Sequence, residues 1–106
     1  MLITRINDFH ARADKARALR EFLQSIIALV EDAPGCQSVA LMVHHEDPAR
    51  FVIVEVWESI EAHQASVSRI PPGKIEEVQP LLVEPPKGAY YDRIQRPAYM
   101  GRRRGR

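Results

Sequence analysis

Hydrophobic and polar positions recur along this chain with two different periods, and the change from one to the other marks its elements. The segment Phe51-Val52-Ile53-Val54-Glu55-Val56-Trp57-Glu58 has period two. Its β-branched and aromatic side chains fit a pleated, packed surface, which predicts a strand. Phe51, Ile53, Glu55 and Trp57 share one face, and Val52, Val54 and Val56 the other. Both faces are apolar, so both require cover. The chain's own helices are expected to cover one and a second copy of the chain the other. A central strand in a helix-backed sheet, forming a homodimer through its free side, is therefore expected.

Leu2 to Phe9 also alternates and predicts a first strand, with Ile3, Arg5, Asn7 and Phe9 on one face. Asn7 is out of place there, because asparagine is depleted in strands. It is either a strand-end residue bonded to a loop or a polar group aimed into a pocket. From Asp14 to Glu31 the period becomes helical: Leu19, Phe22, Leu23, Ile26, Ile27 and Val30 form one stripe, with Asp14 at or near the N-cap. Pro34-Gly35 stops this helix. Gln37 to His45 predicts a second strand, and the short turn before Arg50 makes a hairpin with the central one.

After Trp57, Ser59 is expected to cap a second helix, with Ile60, His63, Val67 and Ile70 facing inward. Pro71-Pro72-Gly73 ends it. A short third helix is expected to follow, with Ile75, Val78 and Leu82 inward. Ala89 to Ile94 predicts the last strand. The order is βαββαβ, a ferredoxin-like α+β fold with an antiparallel four-stranded sheet. Residues 1–96 are expected to form one domain and 97–106 an extension, from which Tyr99 and Met100 are placed to dock on a partner.

Composition narrows the class. Apolar residues make up 45% and charged residues 27%, as in an ordinary globular domain. No apolar run approaches the roughly 20 residues that cross a bilayer, so no membrane partner is expected. The start has no basic leader, and the single cysteine, Cys36, fits a reducing compartment, so a cytoplasmic location is expected. Net charge is +1, and the four arginines of the tail GRRRGR more than account for it. The rest is mildly acidic, which gives no basic face for nucleic acid. His44, His45, Glu46 and Asp47 lack the i, i+4 spacing of a strong metal site, and no metal is expected.

Two stretches carry a family resemblance. Pro34-Gly35-Cys36-Gln37-Ser38 and Asp47-Pro48-Ala49-Arg50, continuing through Glu55-Val56-Trp57 to Glu61-Ala62-His63, resemble the antibiotic biosynthesis monooxygenases. The start Ile6-Asn7-Asp8-Phe9 is similar to that of part of this family. The resemblance implies a dimeric α+β barrel with a pocket between helices and sheet in each subunit. It also implies a cofactor-independent monooxygenase acting with O2 on a small aromatic substrate of the quinol or anthrone type.

Such a pocket needs an aromatic wall, a few polar groups and an apolar lining. Trp57 is the expected wall, Asn7 the amide for a phenolate or peroxide oxygen, and His63 a base that titrates near neutral pH. These three are the candidate catalytic residues. Phe9, Ile53, Tyr91 and Arg93 are the candidate substrate contacts. Each has a plainer reading: Trp57 as a core anchor, His63 as a satisfied interior histidine, and Glu55 paired across strands with Arg5 or Arg93. Two other functions stay open. One is haem binding and degradation, matched by Asn7 and Trp57 but with His63 early for an axial ligand. The other is a non-catalytic dimeric binding module.

Overall fold

A computed structural model of the protein describes residues 2–97. Its elements run β1 (Ile3–His10), α1 (Ala16–Val30), β2 (Cys36–Val43), β3 (Arg50–Trp57), α2 (Ile60–Val67), α3 (Gly73–Val78) and β4 (Lys87–Asp92), with one 3-10 turn at Gln79–Leu81. The four strands form one sheet in the order β2-β3-β1-β4. All pairings are antiparallel. This is the expected ferredoxin-like βαββαβ arrangement.

The period-two reading of β3 holds residue by residue. Phe51, Ile53, Glu55 and Trp57 are buried, and the three valines between them are half-buried. The first set faces the helices: Leu19 and Leu23 of α1 pack with Phe51, Ile53, Val78 and Leu82 in the main core. The opposite face has no second layer among the described residues, and Met42 and Tyr91 on it are 47% and 53% exposed. Tyr99, Met100 and the arginine tail lie outside the described residues.

Some element bounds and one helix face differ from the sequence reading. Asp14 does not cap α1. The first helical bond, from the Leu19 N–H, ends on the Lys15 carbonyl, so Lys15 holds the cap position without a side-chain bond. β4 begins and ends two residues earlier than expected, because β1 offers Ile3 to Asp8 as partners and the pairing runs out at Asp92. The α2 stripe holds in part: His63 and Ile70 are half-buried as expected, but the most buried position is Ser66. Ala62 is half-buried, and Ile60 and Val67 are exposed. Ser59 does cap α2, its Oγ accepting the Ala62 N–H at 3.0 Å. Ile75 of α3 is also exposed, whereas Val78 and Leu82 point inward.

The Pro34-Gly35 turn sets where α2 lies. Gly35 has φ +87°, and a Cβ there would stand 2.6 Å from the Cβ of Ala62. Cys36 N–H closes the turn on the Ala33 carbonyl at 3.0 Å, with proline and glycine at the positions a type II turn favours. Next to it Ile3, Ala33 and the fully buried Trp57 form a second core cluster. Gly35→Ala combines a left-handed backbone with overpacking against α2. It is expected to cost at least about 2 kcal/mol of stability, measured by urea denaturation; a change below about 0.5 kcal/mol would contradict this account of the turn.

Candidate active site

Between the helices and the sheet lies a cavity of about 250 Å³. Asn7 and Phe9 of β1 and Ile53 and Glu55 of β3 line its sheet side. Phe22, Leu23, Ile26 and Val30 of α1 and His63 and Ser66 of α2 line its helix side. Asn7 sits opposite Ile53 and Gly88 in the sheet, so it is an interior strand residue. Gly88 permits this: a Cβ there would collide with the side chains of Asn7 and Arg5.

The polar end of the cavity is one connected array. The buried carboxylate of Glu55 accepts the Trp57 Nε1–H at 2.8 Å. The same oxygen faces His63 Nε2 at 3.8 Å, and His63 Nδ1 meets the Tyr90 hydroxyl at 2.7 Å. Trp57 and Tyr90 hold the imidazole edge-on, with ring centroids 5.5 and 5.4 Å away. The His63 carbonyl accepts the Ser66 hydroxyl at 2.6 Å. We assign the tautomer with Nε2–H toward the carboxylate, which leaves Nδ1 to accept the Tyr90 O–H.

Burial pushes the Glu55 carboxyl above the usual carboxylate range, against the Trp57 N–H and the positive charge of Arg5, which pull it down. Burial and the Arg5 charge hold His63 below the usual histidine range, so its ring is neutral near neutral pH. Arg5 does not pair with Glu55 as the sequence suggested. It stacks on the Tyr90 ring, 4.6 Å from the centroid. Arg93 lies beyond β4, exposed beside Leu2 and Ile94.

The expected site residues thus separate. Asn7, Phe9, Ile53 and His63 line the cavity. Trp57 is 0% exposed and stands behind Glu55 as a support. Tyr91 pairs with Thr4 and points to the opposite sheet face, and its neighbour Tyr90 meets His63 instead. Arg93 is not brought to the cavity. Glu55 was missed as a site residue, although a lone acid inside an apolar strand, two residues before a tryptophan on the same face, was a usable signal. Among the described residues no three His, Cys, Asp or Glu side chains converge to hold a metal ion. A wider hollow of about 790 Å³ opens at the hairpin end of the sheet. Its Arg50 and Lys87 are already paired with Asp47 and Glu84, and of the expected residues only Phe9 reaches it.

The sequence model of the antibiotic biosynthesis monooxygenases matches residues 2–69. The chain belongs to this family. Rv0793 from Mycobacterium tuberculosis has a similar fold, with a TM-score of 0.80 and 22% identity over 92% of this chain and 100% of that one. Protein SO0527 from Shewanella oneidensis gives 0.75 and 27% identity over 85% and 88% of the two chains. SnoaB, a cofactor-independent oxygenase from Streptomyces nogalater, gives 0.76 and 15% identity over 90% and 95%. Among curated proteins none matches the chain.

The raised Glu55 carboxyl fixes a sign. The folded state binds this proton more tightly than the unfolded chain does. The contribution is therefore fully present below the ordinary carboxylate range and is lost as pH rises through the raised value. Glu55→Gln keeps an acceptor for Trp57 Nε1 and cannot ionise. Its stability relative to wild type is expected to increase as pH rises from the carboxylate range toward neutrality, read as the difference in Tm across that window. A pH-independent difference would show that the carboxyl is not shifted upward.

Proposed function

We propose that the protein is a cofactor-independent monooxygenase acting with O2 on a small, electron-rich phenol of the quinol or anthrone class. The observation that carries this reading is the Glu55–His63 pair at the inner end of a mainly apolar cavity, in a chain of the monooxygenase family. A carboxylate with a raised pKa is a competent base near neutral pH. Glu55 takes the phenolic proton, and His63 and Tyr90 lead it out of the cavity. The Asn7 amide stabilises the phenolate, and the apolar walls exclude water from the electron-rich ring.

The chemistry balances without a further reductant. In an anthrone the ring methylene loses both hydrogens and gains one oxygen atom as a carbonyl. In a quinol one ring C–H becomes C–OH while the two original hydroxyls lose their hydrogens to give the quinone. In both the second oxygen atom leaves as water. The substrate supplies all four electrons that O2 accepts. This reading resolves to a small substrate, because about 250 Å³ lies below the roughly 300–1,000 Å³ of sites for drug-sized ligands. The same volume is too small for a haem. Both His63 nitrogens also already face partners, so the residues do not fit an axial haem ligand.

We also read the protein as a cytoplasmic homodimer. No helix among the described residues is long and apolar enough to cross a membrane. The uncovered sheet face carries Val52, Val54, Val56, Ile6 and Met42, and a second copy is its self-complementary cover.

Oxygen uptake with a panel of quinols and anthrones tests the activity. Wild type is expected to consume O2 above buffer. Glu55→Gln is expected to lower kcat/KM by about 10²–10⁴, as loss of a general base does, while staying folded. His63→Ala and Asn7→Ala are expected to lower it less. No uptake with any member of the panel would sink the oxygenase reading in favour of a binding module. For the assembly, Val54→Glu places a carboxylate at the centre of the uncovered face. Wild type is expected at twice the chain mass in solution and the variant at one chain mass; a monomeric wild type would refute the dimer.

A further inference from the structure

The cavity is electrically lopsided. Its inner end holds the Glu55 carboxyl. At its other side Lys74 of α3 is the one lysine or arginine among the described residues that line it. The exposed Val67 and Ile75 also line it there, so this side is the mouth, between α2 and α3. The Lys74 side chain is 28% exposed, and its ammonium lies 5.8 Å from the centroid of the Phe22 ring, another wall of the cavity. The protein partner of the ammonium is Glu77, one turn along α3, at 3.6 Å and 58% exposed. Such an exposed i, i+3 pair holds its cation weakly. An anion arriving from the cavity side meets a cation whose stem is already packed against an aromatic ring and whose carboxylate partner is readily displaced.

We propose that the substrate carries an acidic substituent, a carboxylate on the aromatic ring, which docks on Lys74 at the mouth and turns the phenolic end inward to Glu55 and His63. This rests on the cavity being the substrate site. Charge decides the orientation. A carboxylate driven inward would meet the buried Glu55 in a low-dielectric setting, where like charges repel strongly. Turned outward it meets Lys74. One anionic group thus selects one of the two ways a flat ring can enter, and it presents the hydroxyl to the base. Lys74 acts as a specificity residue, with no part in the proton transfer.

The test compares gentisate with its neutral carboxamide, gentisamide, which has nearly the same shape. Binding is measured anaerobically by calorimetry, so that no turnover intervenes. Wild type is expected to bind gentisate about tenfold more tightly than gentisamide, a difference of about 1.4 kcal/mol. That ratio is expected to fall to about one in Lys74→Met, to survive in Lys74→Arg, and to invert in Lys74→Glu. It is expected to rise in Glu77→Gln, which frees the ammonium. The ratio in wild type is also expected to shrink with added salt. Equal binding of the two ligands, a ratio unmoved by Lys74→Met, or no binding of either would overturn the proposal. Oxygen uptake with neutral quinols decides the oxygenase reading separately, so acid selectivity can fail while that activity stands.

Discussion

Burial of one carboxyl group, Glu55, on the helix face of the central strand is the constraint on which the rest of the structure turns. A carboxylate there loses its water and needs partners within reach. It gets one strong partner, the indole N–H of Trp57, two residues along the same strand. That contact needs the tryptophan wholly inside the fold. Trp57 in turn packs on Ile3, Ala33, Cys36, Ala62 and Tyr90, which closes the Pro34-Gly35 end of the sheet against α2. The second partner, His63, follows from the same closure. Ser59 caps α2 and the missing Cβ of Gly35 lets that helix approach, which sets the imidazole beside the carboxyl. Packing and polar chemistry are here one arrangement.

Arg5 shows how the array is tuned. It sits opposite Glu55 in the sheet, where a direct ion pair would hold the carboxylate ionised and inert. Its side chain lies instead across Gly88 and over the Tyr90 ring. From there its charge lowers both groups, but for Glu55 burial still prevails. The outcome is a carboxyl raised toward neutral pH beside a histidine kept neutral, two titratable groups drawn toward one another from either side. Pairs of titratable groups shifted by burial in this way are common at functional sites.

Much of the fold was legible because it rests on local patterning. The two faces of β3, the α1 stripe, the Ser59 cap and the hairpin each follow from side-chain period or turn chemistry within a dozen residues. What misled was decided at longer range. The inward face of α2 was assigned to Ile60, His63, Val67 and Ile70; the last three do line the cavity, but Ile60 is exposed, Ala62 rests against Gly35 and Ser66 is buried. Tyr91 and Tyr90 have nearly the same composition around them. Only the register with β1, which pairs Tyr90 with Arg5 and Tyr91 with Thr4, decides which one meets His63. Glu55 was visible as an anomaly in an apolar strand, but its partner was sought across strands rather than along its own.

The two faces of β3 differ in kind. A row of valines is indifferent to orientation and charge, and suits a flat contact with an identical row. The other row interrupts its apolar run once, with Glu55, which accepts the indole N–H and lies 3.8 Å from the imidazole that in turn meets the Tyr90 hydroxyl. Because side chains alternate with period two, a one-residue slip in the pairing of β3 would exchange the rows. It would put the carboxyl on the uncovered face and the valines against α1. The burial of Trp57 against Ile3 and Ala33 opposes that slip, since it needs the indole on the helix face. Glu55 costs stability as a buried acid, and in the proposed reaction the same group is the base.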